Sequence, residues 1–205
     1  QTSAGILFET DLRLRPNGDS GLLAVSVDSF RDYQLDKAWV WEHQALTRAR
    51  FCAGDPAVGA RFEAIRCEIL CKQRDPLKLK EEVVAMRQKM YDAHASKSEA
   101  LFDLKHDPGG IIDVEFIVQY LVLGHAHQHH RLTGNLGNIA LLRIAAELGL
   151  IPADLAATAG NAYREYRRLQ HARRLSANPR GYSEREGIEK HIAAVNLLWK
   201  TIFDE

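Results

Sequence analysis

The sequence predicts a mainly α-helical protein with a small β portion, on three observations. A short opening segment alternates apolar and polar residues with period two. Apolar stripes at helical spacing fill most of the remaining chain. Asp-Pro pairs, which start helices, punctuate those stripes. The alternation runs from Ile6, with Ile6, Phe8, Thr10, Leu12 and Leu14 on one face and Glu9, Asp11, Arg13 and Arg15 on the other. Pro16-Asn17-Gly18 predicts a tight turn, and Leu22–Ser26 a returning strand. One hairpin is marginal in water, so this pair is expected to be a fragment of a larger sheet.

Helices follow in order. Asp28 or Ser29 is expected to cap the first, over "SFRDYQ", and Asp36 the second, over "KAWVWEHQALTRARF". Asp55-Pro56 opens a helix to about Lys72, and Asp75-Pro76 opens another carrying Leu79, Val83, Met86 and Met90. Residues 96–110 read as loop with a short extended piece at "LFDLK". Further helices are expected from about Gly109 to His127, Asn135 to Leu148, Pro152 to Ala177 and Ser183 to Phe203. Stripes on long helices with short connections imply an antiparallel bundle. The expected division is 1–73, a β remnant with attached helices, and 74–205, a helical bundle.

Lys+Arg and Asp+Glu both number 27, and a net charge of zero removes the simplest argument for nucleic acid or an anionic membrane. Three cysteines show no disulfide framework, which points to a reducing cytoplasm. The most apolar segment, "IIDVEFIVQYLVL", is too short and too charged to span a bilayer.

Asp11 beside Arg13 and Arg15 suits a site where a divalent cation and phosphates share charge, although from the strand alone a solvated face with weak ion pairing is the more ordinary reading. Glu42 and Arg48 leave the apolar face of "WVWEHQALTRARF", Arg48 toward an anion or simply toward the rim. In "KHDPGGIIDVEF", Asp107 is expected to cap a helix with Pro108 at its first position. The amides of Gly109 and Gly110 would then stand open to an anion, with Lys105 close by. Asp113 and Glu115 lie about 200° apart on that helix and cannot clamp one ligand. Since the helix is apolar nearly all round, at least one acid must be buried or interfacial, and an arginine of the first region is the expected partner of a buried one. The histidine tract 124–130, Cys67 with Cys71, and the basic run 164–174 read more readily as ordinary helix surface or core than as sites.

Together, "SAGILFETDLRLRPNGDSGLL", "AWVWEHQALTRARFCAGDP" and "FDLKHDPGGIIDVEFIVQYLVL" resemble the bacterial glutamine synthetase adenylyltransferase/adenylyl-removing enzymes. Members of that family carry two related halves, each a nucleotidyltransferase core followed by a helical bundle. The wording here is more similar to the C-terminal, adenylylating half. The resemblance implies ATP as substrate, Mg²⁺ as cofactor, and glutamine synthetase and a PII signal protein as partners, with glutamine as effector. It matches Asp11 to a metal-binding catalytic carboxylate, Arg13 and Arg15 to the Arg-x-Arg after it, and Gly109, Gly110, Asp113 and Glu115 to a motif near the active-site face. The family's Gly-Ser and Asp-x-Asp elements do not occur in this sequence. A regulatory or docking module is the competing expectation.

Overall fold

The computed structural model describes residues 11, 15–94, 101–175 and 182–204. The chain divides into two compact units, Gln1–Ile69 and Leu70–Glu205. Among the described residues there are eight α-helices and one two-stranded antiparallel sheet, the mainly helical class expected.

In the first unit the Pro16-Asn17 turn forms: Gly18 N–H donates to Arg15 O at 2.8 Å, with Asn17 at φ 59°. Residues 1–10 and 12–14, which hold most of the expected first strand, lie outside the described residues. The expected returning strand does not form. Residues 22–26 are irregular, and Leu22 and Leu23 are exposed, because no described segment offers them a ladder. Helix α1 (Val27–Asp36) is capped by neither Asp28 nor Ser29 but by Ser26, whose hydroxyl accepts from Ser29 N–H at 3.1 Å. Helix α2 is shorter than expected, Val40–Leu46, and starts at Trp39 rather than Asp36; the Glu42 carboxylate accepts the Trp39 N–H. Asp55 caps α3 (Pro56–Leu70) as expected, accepting from Ala57 N–H at 2.7 Å.

In the second unit Asp75 caps α4 (Pro76–His94) through Leu77 and Lys78 N–H. The short strand β1 (Leu101–Asp103) precedes α5 (Ile111–His125), then come α6 (Asn138–Glu147) and α7 (Ala153–Leu175). Strand β2 (Tyr182–Glu184) and α8 (Glu189–Phe203) close the chain. The last helix therefore starts six residues later than Ser183. Phe102 pairs with Ser183 in the β1–β2 ladder, and Gly187 at φ 91° turns the chain into α8.

Helix α5 buries Ile111, Ile112, Val114, Phe116, Ile117, Val118, Leu121, Val122 and Leu123, so it is apolar around its whole circumference. Such a helix must be surrounded, and α4, α6, α7 and α8 all pack on it. Its burial fixes everything attached to its N-terminal end.

Candidate functional site

The segment from β1 into α5 is a closed hydrogen-bonded loop. Asp103 Oδ1 accepts from Lys105 N–H (2.8 Å) and His106 N–H (3.2 Å), and its Oδ2 accepts from His106 Nδ1 at 2.9 Å. Asp107 does not cap α5, because its carboxylate already takes the Asp103 N–H at 2.9 Å; Gly110 occupies the cap position and the helix begins at Ile111. The expected open amides are also taken. Gly109 N–H donates to Asp113 Oδ2 (2.6 Å), Gly110 to Asp107 O (2.9 Å), Ile111 to Leu104 O (2.9 Å) and Ile112 to Lys105 O (3.2 Å). With these four donors satisfied internally, this helix end is a locked corner rather than an anion cradle.

The two glycines follow from that corner. Gly109 has φ 88°, and a Cβ there would stand 2.9 Å from Ile192 O and 3.1 Å from Asn196 Nδ2 on α8. At Gly110 a Cβ would meet Asp107 O at 2.8 Å. Close approach and left-handed backbone require glycine, independent of any ligand. The side chain of Lys105 is exposed at the turn.

Of the two placements expected for an acid of this helix, Asp113 takes the buried one, but its partner is Arg87 of α4, not an arginine of the first unit. Arg87 Nε bonds Asp113 Oδ1, and Nη2 donates to His106 O at 2.8 Å. Burial pushes the Asp113 carboxyl above its ordinary range; the Arg87 charge and the Gly109 amide offset this only in part. Arg87 escaped the sequence reading, which followed Met86 and Met90. The available signal was its spacing, since Leu79, Val83 and Arg87 form one buried row. Glu115 faces elsewhere and accepts from the Tyr163 hydroxyl of α7 at 3.1 Å. Burial, then the nearby Glu115 charge, raises that phenol.

In the first unit Asp11 is exposed and outside any regular element. Arg13 lies outside the described residues. Arg15 is half-buried, with Nε 3.5 Å from Gly21 O. Arg48 is exposed beyond the end of α2. Glu42 is buried and serves the fold: besides Trp39 N–H it accepts from the Tyr33 hydroxyl at 3.0–3.1 Å. Beside it, Arg66 donates to Leu46 O (2.9 Å) and Thr47 O (3.0 Å), satisfying α2's last carbonyls. The described residues thus bring Gly109, Gly110 and Asp113 together, leave Lys105 at their edge, and set Glu115 on another face. A divalent cation needs several oxygen ligands, and among the described residues Asp11 gathers with no two further metal-ligating side chains. The described residues do not make a magnesium site by themselves.

Two family models match the chain, one on each unit: "Glutamate-ammonia ligase adenylyltransferase" over residues 1–65 and "GlnD PII-uridylyltransferase" over residues 77–180. Curated relatives match it nearly end to end. The bifunctional glutamine synthetase adenylyltransferase/adenylyl-removing enzyme of Aromatoleum aromaticum is 71% identical over 99% of this chain and 21% of its own length. The chain belongs to this family. The enzymes of the same name from Nitrosomonas europaea and Bordetella bronchiseptica are 63% and 55% identical, over 87% and 100% of this chain and 19% and 22% of their own lengths. The chain thus spans about a fifth of the relatives it matches. Among the described residues no helix is long and apolar enough to cross a membrane.

Proposed function

We propose that this chain is the C-terminal part of the adenylylating half of such an enzyme, with 1–73 completing a nucleotidyltransferase core and 74–205 forming the helical bundle that follows it in the sequence. The observation that carries this reading is the 71% identity to a glutamine synthetase adenylyltransferase/adenylyl-removing enzyme over 99% of the chain. In this reading the parent enzyme acts in the cytoplasm on glutamine synthetase, with ATP as the AMP donor, Mg²⁺ as cofactor and glutamine as effector. A tyrosine hydroxyl attacks the α-phosphorus of ATP, the new P–O bond forms as the bond to pyrophosphate breaks, and the hydroxyl proton leaves to a base. Asp11 supplies one of several carboxylates, the others lying outside this sequence, and Arg13 and Arg15 steady phosphate oxygens. Its exposure leaves Asp11 accessible for that role. Arg48 and Lys105 are assigned to the nucleotide, and Glu115, on another face of α5 from Asp113, is assigned no contact with it. For Glu42, Gly109, Gly110 and Asp113 the role is to hold backbone in place, as their bonds support.

The test is intact-mass analysis of glutamine synthetase incubated with ATP and Mg²⁺ and the full-length enzyme. Asp11→Asn is expected to lower AMP transfer by roughly a hundredfold or more without loss of folding; unchanged transfer refutes the assignment. A parent enzyme that only strips AMP from modified glutamine synthetase would place the chain in the other half.

The match of residues 77–180 to a PII-uridylyltransferase model favours a second reading, in which the bundle docks a PII-type protein. Binding of PII by residues 74–205 alone supports it, and no binding at high micromolar concentration counts against it.

A further inference from the structure

A cavity of about 580 Å³ opens in the first unit between the start of α1, residues 50–55 and the first turns of α3. Val25, Phe30, Phe51, Cys52, Val58 and Phe62 line it. Its rim is apolar yet left in water, with Val25 38%, Phe51 38% and Val58 48% exposed, and Leu22 and Leu23 exposed just before Val25. The rim is also built rather than loose. The Phe51 N–H donates to Glu63 Oε1 at 2.9 Å, and the Phe51 ring lies on Gly59, where a Cβ would stand 2.6 Å from it. Phe30 and Phe62 pack together in the lining, their ring centroids 5.7 Å apart.

Apolar side chains held open to solvent in one patch mark a surface that something covers. Among the described residues of this unit, Leu46, Ile65 and Ile69 are the buried apolar side chains, so the unit leaves more large apolar groups in water than it encloses. Two charged residues border the cavity, Arg50 and Asp55, and Asp55 already caps α3, so the apolar walls carry the contact area. The chain spans about a fifth of the relatives it matches. The first unit is the part that the adenylyltransferase model matches, over residues 1–65. A segment of the same polypeptide meets this patch at an effective concentration on the order of millimolar, ahead of any separate partner.

We propose that this cavity and its rim seat an apolar segment of the parent enzyme that lies outside this sequence, its aliphatic or aromatic side chains filling the space between Val25, Phe51 and Val58. The inference rests on the reading that residues 1–73 complete a core whose other parts lie elsewhere in the parent, and it names the surface on which they close. Its test involves no enzymatic readout. AMP transfer by a parent whose cavity stays open removes the seat and leaves that reading. A closed cavity in a parent without AMP transfer does the reverse.

Cys52, exposed in the lining, is the probe. The 205-residue chain and the full-length enzyme are treated with N-ethylmaleimide, and labelling of Cys52 is followed by peptide mass spectrometry. Labelling is expected to be fast in the 205-residue chain. In the full-length enzyme it is expected to be slower by about tenfold or more, because it waits for local opening. Val58→Glu places a carboxylate in the first turn of α3, where it is tolerated, so the helical circular dichroism of both proteins should be unchanged. In the full-length enzyme that variant is expected to raise labelling to the rate of the short chain carrying the same substitution, because a charge cannot enter an apolar contact. Equal rates in the two unmutated proteins overturn the proposal, as does slow labelling of the 205-residue chain. Protection that appears only on adding ATP, glutamine synthetase or a PII-type protein overturns it by naming a different occupant. Protection that survives Val58→Glu overturns it too, by placing the contact elsewhere.

Discussion

Arg87 and Asp113 form a buried charged pair, so removing one member is far more damaging than their net attraction suggests. Arg87→Met is expected to destabilise the chain by about 3–5 kcal/mol at neutral pH. The pH dependence follows from Asp113. Its folded carboxyl is raised by burial, so its share of stability is present below the ordinary carboxylate range and is lost as pH rises through the folded value. Without Arg87 that value climbs further. The deficit of the variant should therefore be largest near neutrality and shrink as the pH falls and Asp113 becomes protonated in both proteins. Urea unfolding at a series of pH values measures this, and a deficit independent of pH would contradict it. Tyr166 makes the opposite case. It is fully buried, its phenol is pushed up by burial and by Asp113, and its hydroxyl has no partner among the described residues. Tyr166→Phe removes an unpaired polar atom and keeps the packing, so stability should be unchanged or rise by about 1 kcal/mol. A loss above that size would show that the hydroxyl is bonded after all.

Between elements, the corner at Gly109 joins α5 to α8. Gly109→Ala must adopt φ 88° with a side chain and also press on Ile192, so a loss of about 2–4 kcal/mol is expected. Adding Ile192→Ala relieves the contact with Cγ2 but leaves the clash with the carbonyl oxygen. The double variant should therefore recover little, and full recovery would mean that backbone strain is unimportant there. This corner shows what could be read from sequence and what could not. "HDPGGIID" announced a helix start, which is present, and amides open to an anion, which are not, since Gly109 and Gly110 donate internally. The choice among its oxygens was not legible, because Asp103, Asp107 and Asp113 are equally good acceptors on paper. Only the β1–β2 ladder, closed by residues some eighty positions later, decides which carboxylate meets which amide. The Asp55-Pro56 and Asp75-Pro76 starts were legible because cap and capped amides lie within three residues. Arg87 was missed for the converse reason. It occupies an apolar row, and its partner lies on another helix.

At the scale of the molecule, the two units are unequal in what they bury. In the first, Leu46, Ile65 and Ile69 are the buried apolar side chains among the described residues, beside the buried polar groups of Gln34, Glu42, His43, Gln44, Thr47 and Arg66. The remaining buried apolar set belongs to the second unit, centred on α5. Apolar burial is the main favourable term in folding, whereas a buried polar group gains little beyond being satisfied. Residues 70–205 should therefore fold as a separate chain, with helical circular dichroism and one cooperative urea transition. Residues 1–69 alone should not. In the 205-residue chain, two transitions are expected, with the tryptophan emission of Trp39 and Trp41 changing at lower urea than that of Trp199. Single-tryptophan variants separate the signals. Coincident transitions for all three would mean that the first unit draws its stability from the second, so that the polar interior of α2 is held from outside rather than by its own bonds.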